Sequence, residues 1–341
     1  MGVGITTKEL RKVYTSPPPM AAGVAGFSMM GMRGSAPKGK KKSYEIIALD
    51  GISLAIRPGE IFGLLGPNGA GKSTTIGILT TRVRPTSGEA RIGEYDVWRQ
   101  QVQAKWLIGV VQQRPNLDFS LTAREILLFH GAYYGLASAE RARRAAALLE
   151  RFHLATRADE MVRGFSGGMM QRLSIARAMV HEPEVLFLDE PSTGLDPQTK
   201  LLLWEIIREY NARGKTILLT THNMDEADEL CHRIAIVDHG HVIAEGTPAE
   251  LKVSIPGGYL VRLHVGRGSP ELNRRLERLP GVTEVRTDGN AVDLYADRGG
   301  PLIGAIVNAV AESGTELCDV HISEPSLENL FLHHTGRSLR Q

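Results

Sequence analysis

A nine-residue segment, residues 66–74, combines three glycines with a lysine and two hydroxyl side chains, and this combination can bind phosphate groups. It fits the pattern G-x-x-x-x-G-K-[ST] at every position. Glycines let successive backbone N–H groups turn towards a phosphate. Lys72 is expected to reach the terminal phosphates, and the Ser73 hydroxyl to ligate Mg²⁺. We therefore predict that a nucleoside triphosphate binds to Gly66, Pro67, Asn68, Gly69, Ala70, Gly71, Lys72, Ser73 and Thr74.

This predicted phosphate loop is flanked by two regular elements. Residues 61–65 form an apolar run typical of a buried strand, and residues 73–80 are predicted to be helical. The loop therefore lies at a strand-to-helix turn, where the helix N-terminus adds partial positive charge that favours phosphate. The alternative interpretation is a glycine-rich turn that carries a lysine and a serine by chance. Such a turn would not need a strand before it and a helix after it, so the two flanking elements favour the phosphate loop.

Two adjacent carboxylates, Asp189 and Glu190, follow the apolar run of residues 185–188. Such a run is typical of a strand buried on both faces, and ligands of doubly wound sheets bind at the carboxyl ends of strands. We expect Asp189 to hold Mg²⁺, commonly through its water shell, because hard cations prefer oxygen ligands. Glu190 is the better candidate to activate an attacking water. The alternative is a pair of carboxylates at an exposed strand end, which the phosphate loop disfavours.

A second helix N-terminus is predicted at Ser166, Gly167 and Gly168. Its free N–H groups and small residues could form a second anion site. A serine N-cap followed by a glycine turn describes the same residues without any ligand.

The motifs together resemble those of the nucleotide-binding subunits of ABC transporters, in order and in approximate spacing. The resemblance covers roughly residues 4–251 and implies ATP as the nucleotide, with Mg²⁺ as cofactor. It also implies a head-to-tail homodimer that sandwiches two ATP molecules. The signature residues of one subunit would close on the ATP bound by the other; in this sequence they are Ser166, Gly167, Gly168 and Gln171.

The same resemblance assigns roles to Gln113 and His222. Gln113 matches the family's Q-loop glutamine, a Mg²⁺ ligand, and its neighbour Gln112 fits the pattern less well. His222 follows a predicted strand and matches the switch histidine, which is expected to hydrogen-bond the γ-phosphate and to act with Glu190 as the catalytic pair. The alternatives are that Gln113 is a polar loop residue without a ligand and that His222 is a histidine without a catalytic role.

Two further residues match the family pattern with an open alternative each. Asp196 fits the D-loop that communicates across the dimer, although it could serve only as a helix N-cap. Tyr14 fits the aromatic platform on which adenine stacks. Because an insertion at residues 15–43 separates Tyr14 from the next strand, Tyr44 competes for this role.

Composition limits the possible functions of the 341 residues. Hydrophobic residues make up 42% of the chain and the mean hydropathy is -0.13, with no apolar run of the roughly 20 residues needed to cross a bilayer. With 40 Lys+Arg against 38 Asp+Glu, the net charge of +2 does not predict a nucleic-acid partner. Cys231 and Cys318 lack metal-like spacing, and no secretory signal is recognised, which favours a reducing cytoplasm.

The predicted fold class is α/β, a P-loop ABC ATPase fold with N-terminal antiparallel strands. Residues 1–255 are predicted to form the cassette, with a helical subdomain at about residues 114–180 and a flexible insertion at residues 15–43. The alternative for the insertion is a specific contact of its lysines with anionic lipid headgroups. Residues 256–341 have the predicted order β-α-β-β-α-β, which is that of a small ferredoxin-like α+β domain.

Looser motifs at residues 221–227, 244–248, 324–332 and 335–336 resemble those of the drug-resistance (daunorubicin-type) ATPases that pair with ABC-2 membrane subunits. We therefore expect a cytoplasmic ATPase, peripheral at the inner face of the membrane, that powers export of a drug-like, lipid or other amphipathic substrate through a separate permease. The permease is expected to dock near residues 113–135. A non-transport ABC ATPase that acts on nucleic acid or ribosomes is the alternative, and a P-loop kinase would not explain the signature residues or His222.

Overall fold

The computed structural model describes residues 2–16, 44–255, 257–266, 269–297 and 300–335. The predicted insertion lies almost entirely outside the described residues, as does Gly336 of the C-terminal motif. None of the helices in the described ranges is long and apolar enough to span a membrane.

The described residues form strands and α-helices that alternate along much of the chain. The strands are β1 (Ile5–Ser16), β2 (Tyr44–Ile56), β3 (Ile61–Leu65), β4 (Ser87–Ile92), β5 (Tyr95–Asp96), β6 (Ile108–Val111), β7 (Val185–Asp189), β8 (Thr216–Thr221), β9 (Arg233–Asp238), β10 (His241–Gly246), β11 (Tyr259–Val265), β12 (Val282–Asp288), β13 (Ala291–Ala296) and β14 (Leu317–Ser323). The helices are α1 (Lys72–Leu79), α2 (Gln101–Trp106), α3 (Ala123–Tyr133), α4 (Ser138–Arg151), α5 (Gly167–Met179), α6 (Pro197–Ala212), α7 (Met224–Leu230), α8 (Pro248–Val253), α9 (Pro270–Glu277), α10 (Ile303–Glu312) and α11 (Leu327–Thr335).

The central sheet has six strands in the order β10-β9-β3-β8-β7-β6. All neighbouring strands in it are parallel except β10 and β9. Strands β3 and β8 are buried along their whole length, as expected for strands covered on both faces. Because β8 lies between β3 and β7, the phosphate loop, the end of β8 and the two carboxylates lie along one edge of the sheet.

A four-stranded antiparallel sheet, in the order β2-β1-β4-β5, packs against one face of the central sheet. Its buried residues, such as Leu10 and Leu49, share a hydrophobic cluster with Phe62 and Leu64 of β3. Helix α1 contributes Ile76 to the same cluster. The helix after the phosphate loop is therefore fixed between two sheets.

The other face of the central sheet is covered by the predicted helical region. A capping box formed by Thr122 and Glu125 starts α3. Leu127 of α3 and Leu149 of α4 are buried in one cluster with Val111 and Leu188 of the sheet. This packing places α5, which begins beside Ser166, against the strands that carry the site.

The last four strands form an antiparallel sheet in the order β12-β13-β11-β14, with α9 and α10 packed on one face. The chain order and strand order are those of a ferredoxin-like unit. Leu260 and Tyr295 on the other face join the core of the cassette with Phe331 of α11. We propose the predicted boundary at residues 255–256, between α8 and β11, as a domain boundary.

Strand β6 leads to the predicted Q-loop and depends on a close approach at Gly109. A Cβ at this position would lie 2.4 Å from the Ala178 carbonyl oxygen and 2.8 Å from Pro183 Cγ. We expect Gly109→Ala to lower the free energy of unfolding by about 1–3 kcal/mol, because a packed core resists added volume. Gly164→Ala is the matched control, since a Cβ there meets nothing within 4 Å. Chemical denaturation measures both, and equal stability of the two variants would contradict the expectation.

Candidate active site

The phosphate loop joins β3 to α1 with a backbone that requires glycine. Gly69 and Gly71 have φ values of 83° and 110°, in the left-handed region that favours glycine. A Cβ at Gly66 would lie 2.2 Å from the Val237 carbonyl oxygen. The glycines therefore allow a tight loop whose backbone can approach phosphate oxygens.

Lys72 is buried and its ammonium group lies inside the loop. Its Nζ donates to the Gly66 carbonyl at 2.7 Å and to the Pro67 carbonyl at 3.0 Å. Burial lowers the pKa of Lys72, while the nearby Glu190 and Asp189 carboxylates act in the opposite direction. In this structure, two carbonyl oxygens of the loop therefore accept hydrogen bonds from the Lys72 ammonium group.

The Asp189 carboxylate contacts the start of α1 and the neighbouring strand. Its Oδ1 accepts a hydrogen bond from Ser73 Oγ at 3.1 Å and another from Thr220 Oγ1 at 2.6 Å. Hydroxyl and carboxylate oxygens are ligands that Mg²⁺ prefers. Within the described residues, no group of three or more His, Cys, Asp or Glu side chains could hold a metal ion. The oxygen donors fit a Mg²⁺ ion that is also bound by nucleotide phosphates.

The Glu190 carboxylate is the centre of the site. The residue is only 6% exposed, and its Oε2 accepts hydrogen bonds from Gln113 Nε2 at 2.9 Å and Thr193 Oγ1 at 3.3 Å. His222 Nδ1 lies 3.3 Å from the same oxygen, and Lys72 Nζ lies 3.7 Å from Oε1. The structure therefore brings three of the predicted residues together around one buried carboxylate.

The backbone of Glu190 has a φ of 49°, which is unusual for a residue with a side chain. Its N–H donates to Thr220, with distances of 3.0 Å to the carbonyl oxygen and 3.2 Å to Oγ1. Such strained conformations cluster at functional sites, where the surrounding structure holds them. Here β8 provides that support.

The signature residues begin α5 and differ in their surroundings. Ser166 is exposed and caps the helix, its Oγ accepting a hydrogen bond from Met169 N at 3.3 Å. A Cβ at Gly167 would meet nothing within 4 Å, and Gly168 is half-buried. Gln171, in contrast, is buried and donates from Nε2 to the Pro191 carbonyl at 3.1 Å. This placement differs from the prediction for Gln171, since its side chain connects α5 to the loop after β7.

Asp196 caps α6, which is the alternative that the sequence left open. It accepts hydrogen bonds from Thr199 N at 3.0 Å and from Thr199 Oγ1 at 2.6 Å. The Thr199 hydroxyl is the main cause of a lowered pKa of Asp196. A role of Asp196 across a dimer stays a prediction.

Tyr14 lies near the end of β1 with an exposed ring, and Lys12 Nζ lies 4.8 Å from the ring centroid. Its partner across the hairpin is Ile46, which is also exposed. Tyr44 begins β2, but its side chain lies outside the described part of the structure. Gln112, the weaker candidate for the Q-loop, is half-buried.

Two threonines that the sequence reasoning missed contact the carboxylates. Thr193 binds Glu190, and Thr220 binds both Asp189 and Glu190. Thr220 lies at the carboxyl end of the strand beside β7, and Thr193 lies three residues after Glu190. A hydroxyl at that edge could have been recognised as a candidate.

Comparisons with known proteins agree with this fold. The family described as ABC transporter matches residues 49–193. The chain is 42% identical over 301 residues to Nod factor export ATP-binding protein I of Paraburkholderia xenovorans (strain LB400), covering 88% of this chain and 96% of that protein. It is 41% identical over 305 residues to daunorubicin resistance ATP-binding protein DrrA3 of Streptomyces coeruleorubidus, with coverage of 89% and 96%.

Solved structures show the same likeness. A dimeric bacterial ABC transporter cassette, MJ0796, is similar with a TM-score of 0.59 and 28% sequence identity. The match covers 71% of this chain and 98% of that cassette.

A phosphate loop on a parallel sheet, with two carboxylates at the end of a nearby strand, defines a P-loop NTPase. The chain belongs to the family of ATP-binding subunits of ABC transporters. The predicted family and fold class are confirmed. So is the prediction of an ATPase whose hydrolysis of ATP powers export.

Proposed function

We propose that two copies of this chain bind two ATP molecules between them and drive a separate ABC-2-type membrane subunit from the cytoplasmic side. The observation that carries the proposal is the convergence of Lys72, Gln113 and His222 on the buried Glu190 carboxylate. A base, a cation and two polar groups at one point suit the hydrolysis of a bound triphosphate.

Binding of ATP starts with the phosphate loop. The backbone N–H groups around Gly69 and Gly71 and the N-terminus of α1 attract the phosphates. Lys72 then leaves the carbonyl oxygens of Gly66 and Pro67 and binds phosphate oxygens. Phosphate oxygens are charged acceptors, and their hydrogen bonds to an ammonium group are stronger than those of neutral carbonyls.

Three residues would hold Mg²⁺: Ser73 and Asp189, which already touch, and Gln113. When bound, the ion supplies positive charge that stabilises the reacting phosphate oxygens. The Gln113 amide nitrogen is bonded to Glu190 in the structure, so its amide oxygen is the group available to a cation. Gln113 thereby connects the metal site to the base.

Glu190 acts as the general base that orients and deprotonates the attacking water. Its carboxylate is held by donors on Gln113 and Thr193, so it is fixed before the substrate arrives. His222 is partly exposed beside Glu190, where it can hydrogen-bond the γ-phosphate. Tyr14, or Tyr44, supplies the aromatic surface for adenine.

The second copy completes the site. Ser166 and Gly167 are exposed at the N-terminus of α5, a 13-residue helix, and they offer N–H groups to an anion. A structural neighbour with 27% identity is described as a dimeric post-hydrolysis state bound to ADP and Pi, which supports a dimer here. Gln171 then acts by positioning α5 against Pro191.

Glu190→Gln tests the base and the dimer together. The glutamine keeps the shape of the side chain but cannot accept the proton, so we expect ATP turnover to fall by about 100-fold or more. The variant should accumulate as an ATP-bound dimer, measured by size-exclusion chromatography with light scattering.

The control for this variant is the addition of Ser166→Arg, which places bulk and charge at the exposed helix start. The double variant should bind ATP as a monomer. Normal turnover by Glu190→Gln would contradict the assignment of the base, and a dimer that survives Ser166→Arg would contradict the proposed interface.

An apolar groove beside β6 is the surface that we propose for the membrane subunit. Its cavity has a volume of about 470 Å³ and is lined by Val102, Trp106, His130, Tyr133, Tyr134 and His181. Trp106 is 53% exposed and Tyr133 is 81% exposed, which is unusual for large rings. Exposed apolar surface of this kind marks interaction sites.

The groove is mainly apolar, although Lys105 and Arg177 also line it, and its two histidines are uncharged near pH 7. The rings of Tyr134 and His181 are stacked with centroids 3.6 Å apart. Burial lowers the pKa of His130 and of His181 to about 4, so both are neutral near pH 7. Strand β6 lines the groove and continues towards Gln113, which links docking to the site. A short amphipathic helix of the membrane subunit suits such a surface.

Trp106→Ala combined with Tyr133→Ala tests this surface. Removal of two exposed aromatic anchors should weaken co-purification with the membrane subunit, and reduce the ATPase activity that the partner stimulates, by about 10-fold or more. Val253→Ala is the matched control, because Val253 is equally exposed but lies on α8. ATP binding by the double variant shows that it is folded. If the membrane subunit still stimulates its ATPase activity fully, the partner binds at another surface.

The substrate class is supported only by the relatives. Their names refer to Nod factor export and daunorubicin resistance, and both belong to similar proteins. An amphipathic, drug-like or lipid substrate therefore remains our proposal for this chain. Transport into membrane vesicles that contain both subunits tests it.

A further inference from the structure

Thr220 is a fully buried threonine whose hydroxyl contacts two residues of the active site. It lies on β8, beside β7, and its side chain is 0% exposed. The hydroxyl donates to Asp189 Oδ1 at 2.6 Å and accepts from Glu190 N at 3.2 Å. One small polar group therefore bridges the side chain of one residue and the backbone of the next.

The bond to Asp189 fixes the carboxylate that faces the phosphate loop. Oδ1 also accepts from Ser73 Oγ at 3.1 Å, so two hydroxyls from different elements hold the same oxygen. A carboxylate with two donors on one oxygen has little freedom to rotate. Loss of the Thr220 donor would leave Ser73 as the remaining hydroxyl partner of Oδ1, and Ser73 is itself a candidate ligand.

The bond to Glu190 supports a strained backbone. Glu190 has a φ of 49°, and such a conformation persists only where neighbours hold it. The Thr220 carbonyl accepts from Glu190 N at 3.0 Å and the hydroxyl adds a second acceptor. The orientation of the Glu190 side chain depends on this backbone.

We infer that Thr220 is a positioning residue that orients Asp189 for Mg²⁺ and Glu190 for water activation. The inference rests on the proposed function of these two carboxylates. Packing alone does not require a hydroxyl here, because an apolar side chain of similar size would fill the same buried space on β8. The contribution of Thr220 to the site is therefore its hydroxyl group.

Thr216 on the same strand provides an internal comparison. It is also 0% exposed, and its hydroxyl donates to the Val3 carbonyl at 2.6 Å and accepts from Gly59 N at 2.9 Å. Thr216 begins β8 at the edge of the sheet opposite the phosphate loop. Its hydroxyl is as well bonded as that of Thr220 but has no contact with the carboxylates.

The test compares side chains that differ in the hydroxyl alone. Thr220→Val lacks it, Thr220→Ser keeps it, and Thr220→Ala is paired with the serine variant in case valine disturbs folding. Thr216→Val controls for the loss of any buried hydroxyl on this strand. Binding of a fluorescent ATP analogue is titrated with Mg²⁺ and also measured in EDTA, and turnover is measured at saturating Mg²⁺.

We expect Thr220→Val and Thr220→Ala to raise the Mg²⁺ concentration at half-saturation by about 10-fold, as is typical when a partner of a metal ligand is lost. Binding without the metal should not change, and turnover at saturating Mg²⁺ should fall because Glu190 is also displaced. Thr220→Ser should restore both values. Thr216→Val should change the unfolding midpoint but not the Mg²⁺ titration.

An unchanged Mg²⁺ titration in the valine and alanine variants would overturn the inference, as would an equal shift in Thr216→Val. A loss of metal-free binding in parallel would also overturn it, because a general structural effect then explains the data. If the unaltered protein binds ATP without any response to Mg²⁺, the proposed metal site fails as well, which separates the two failures.

Discussion

The site depends on one buried carboxylate, that of Glu190, which the fold holds in a cluster of polar groups. The residue follows β7 with a left-handed backbone that β8 supports through two hydrogen bonds. Gln113 reaches it from the end of β6, and His222 from the end of β8. Each of these groups stands at the carboxyl edge of a strand, so the order of the parallel sheet determines which chemistry meets at this point.

Charge at the same point links the resting arrangement to nucleotide binding. Lys72 and Glu190 are both buried, and their charged atoms are 3.7 Å apart. Removing two charges from water carries a large desolvation penalty that such a pair only partly offsets. The loop carbonyls that bind Lys72 are neutral acceptors, whereas phosphate oxygens are charged, so a triphosphate is the stronger partner for the cation.

Short sequence patterns predicted those elements of the fold whose conformation depends on residues only a few positions apart. The phosphate loop and the apolar strand β7 each combine strong residue preferences within a few positions. Strand β4 could not be predicted in this way, because most of its residues are exposed and its pairing with β1 joins segments far apart in sequence. The same limit applies to side chains: the direction of Gln171 towards Pro191 and the bridging role of Thr220 depend on which strands become neighbours. For Asp196, residue type allowed both a helix cap and a dimer contact, and the structure shows the cap.

We propose that each ATP site is complete only when residues 166–168 of a second copy close on the phosphate loop of the first. A mixture of two defective chains tests it most directly, one carrying Lys72→Ala and the other Ser166→Arg. A mixed dimer contains one site in which the intact lysine and the intact serine come from different copies. We predict that each variant alone is inactive and that the mixture hydrolyses ATP well above the sum of the two. Activity that stays at that sum, although mixed dimers form, would contradict the shared site and place the whole reaction within a single chain.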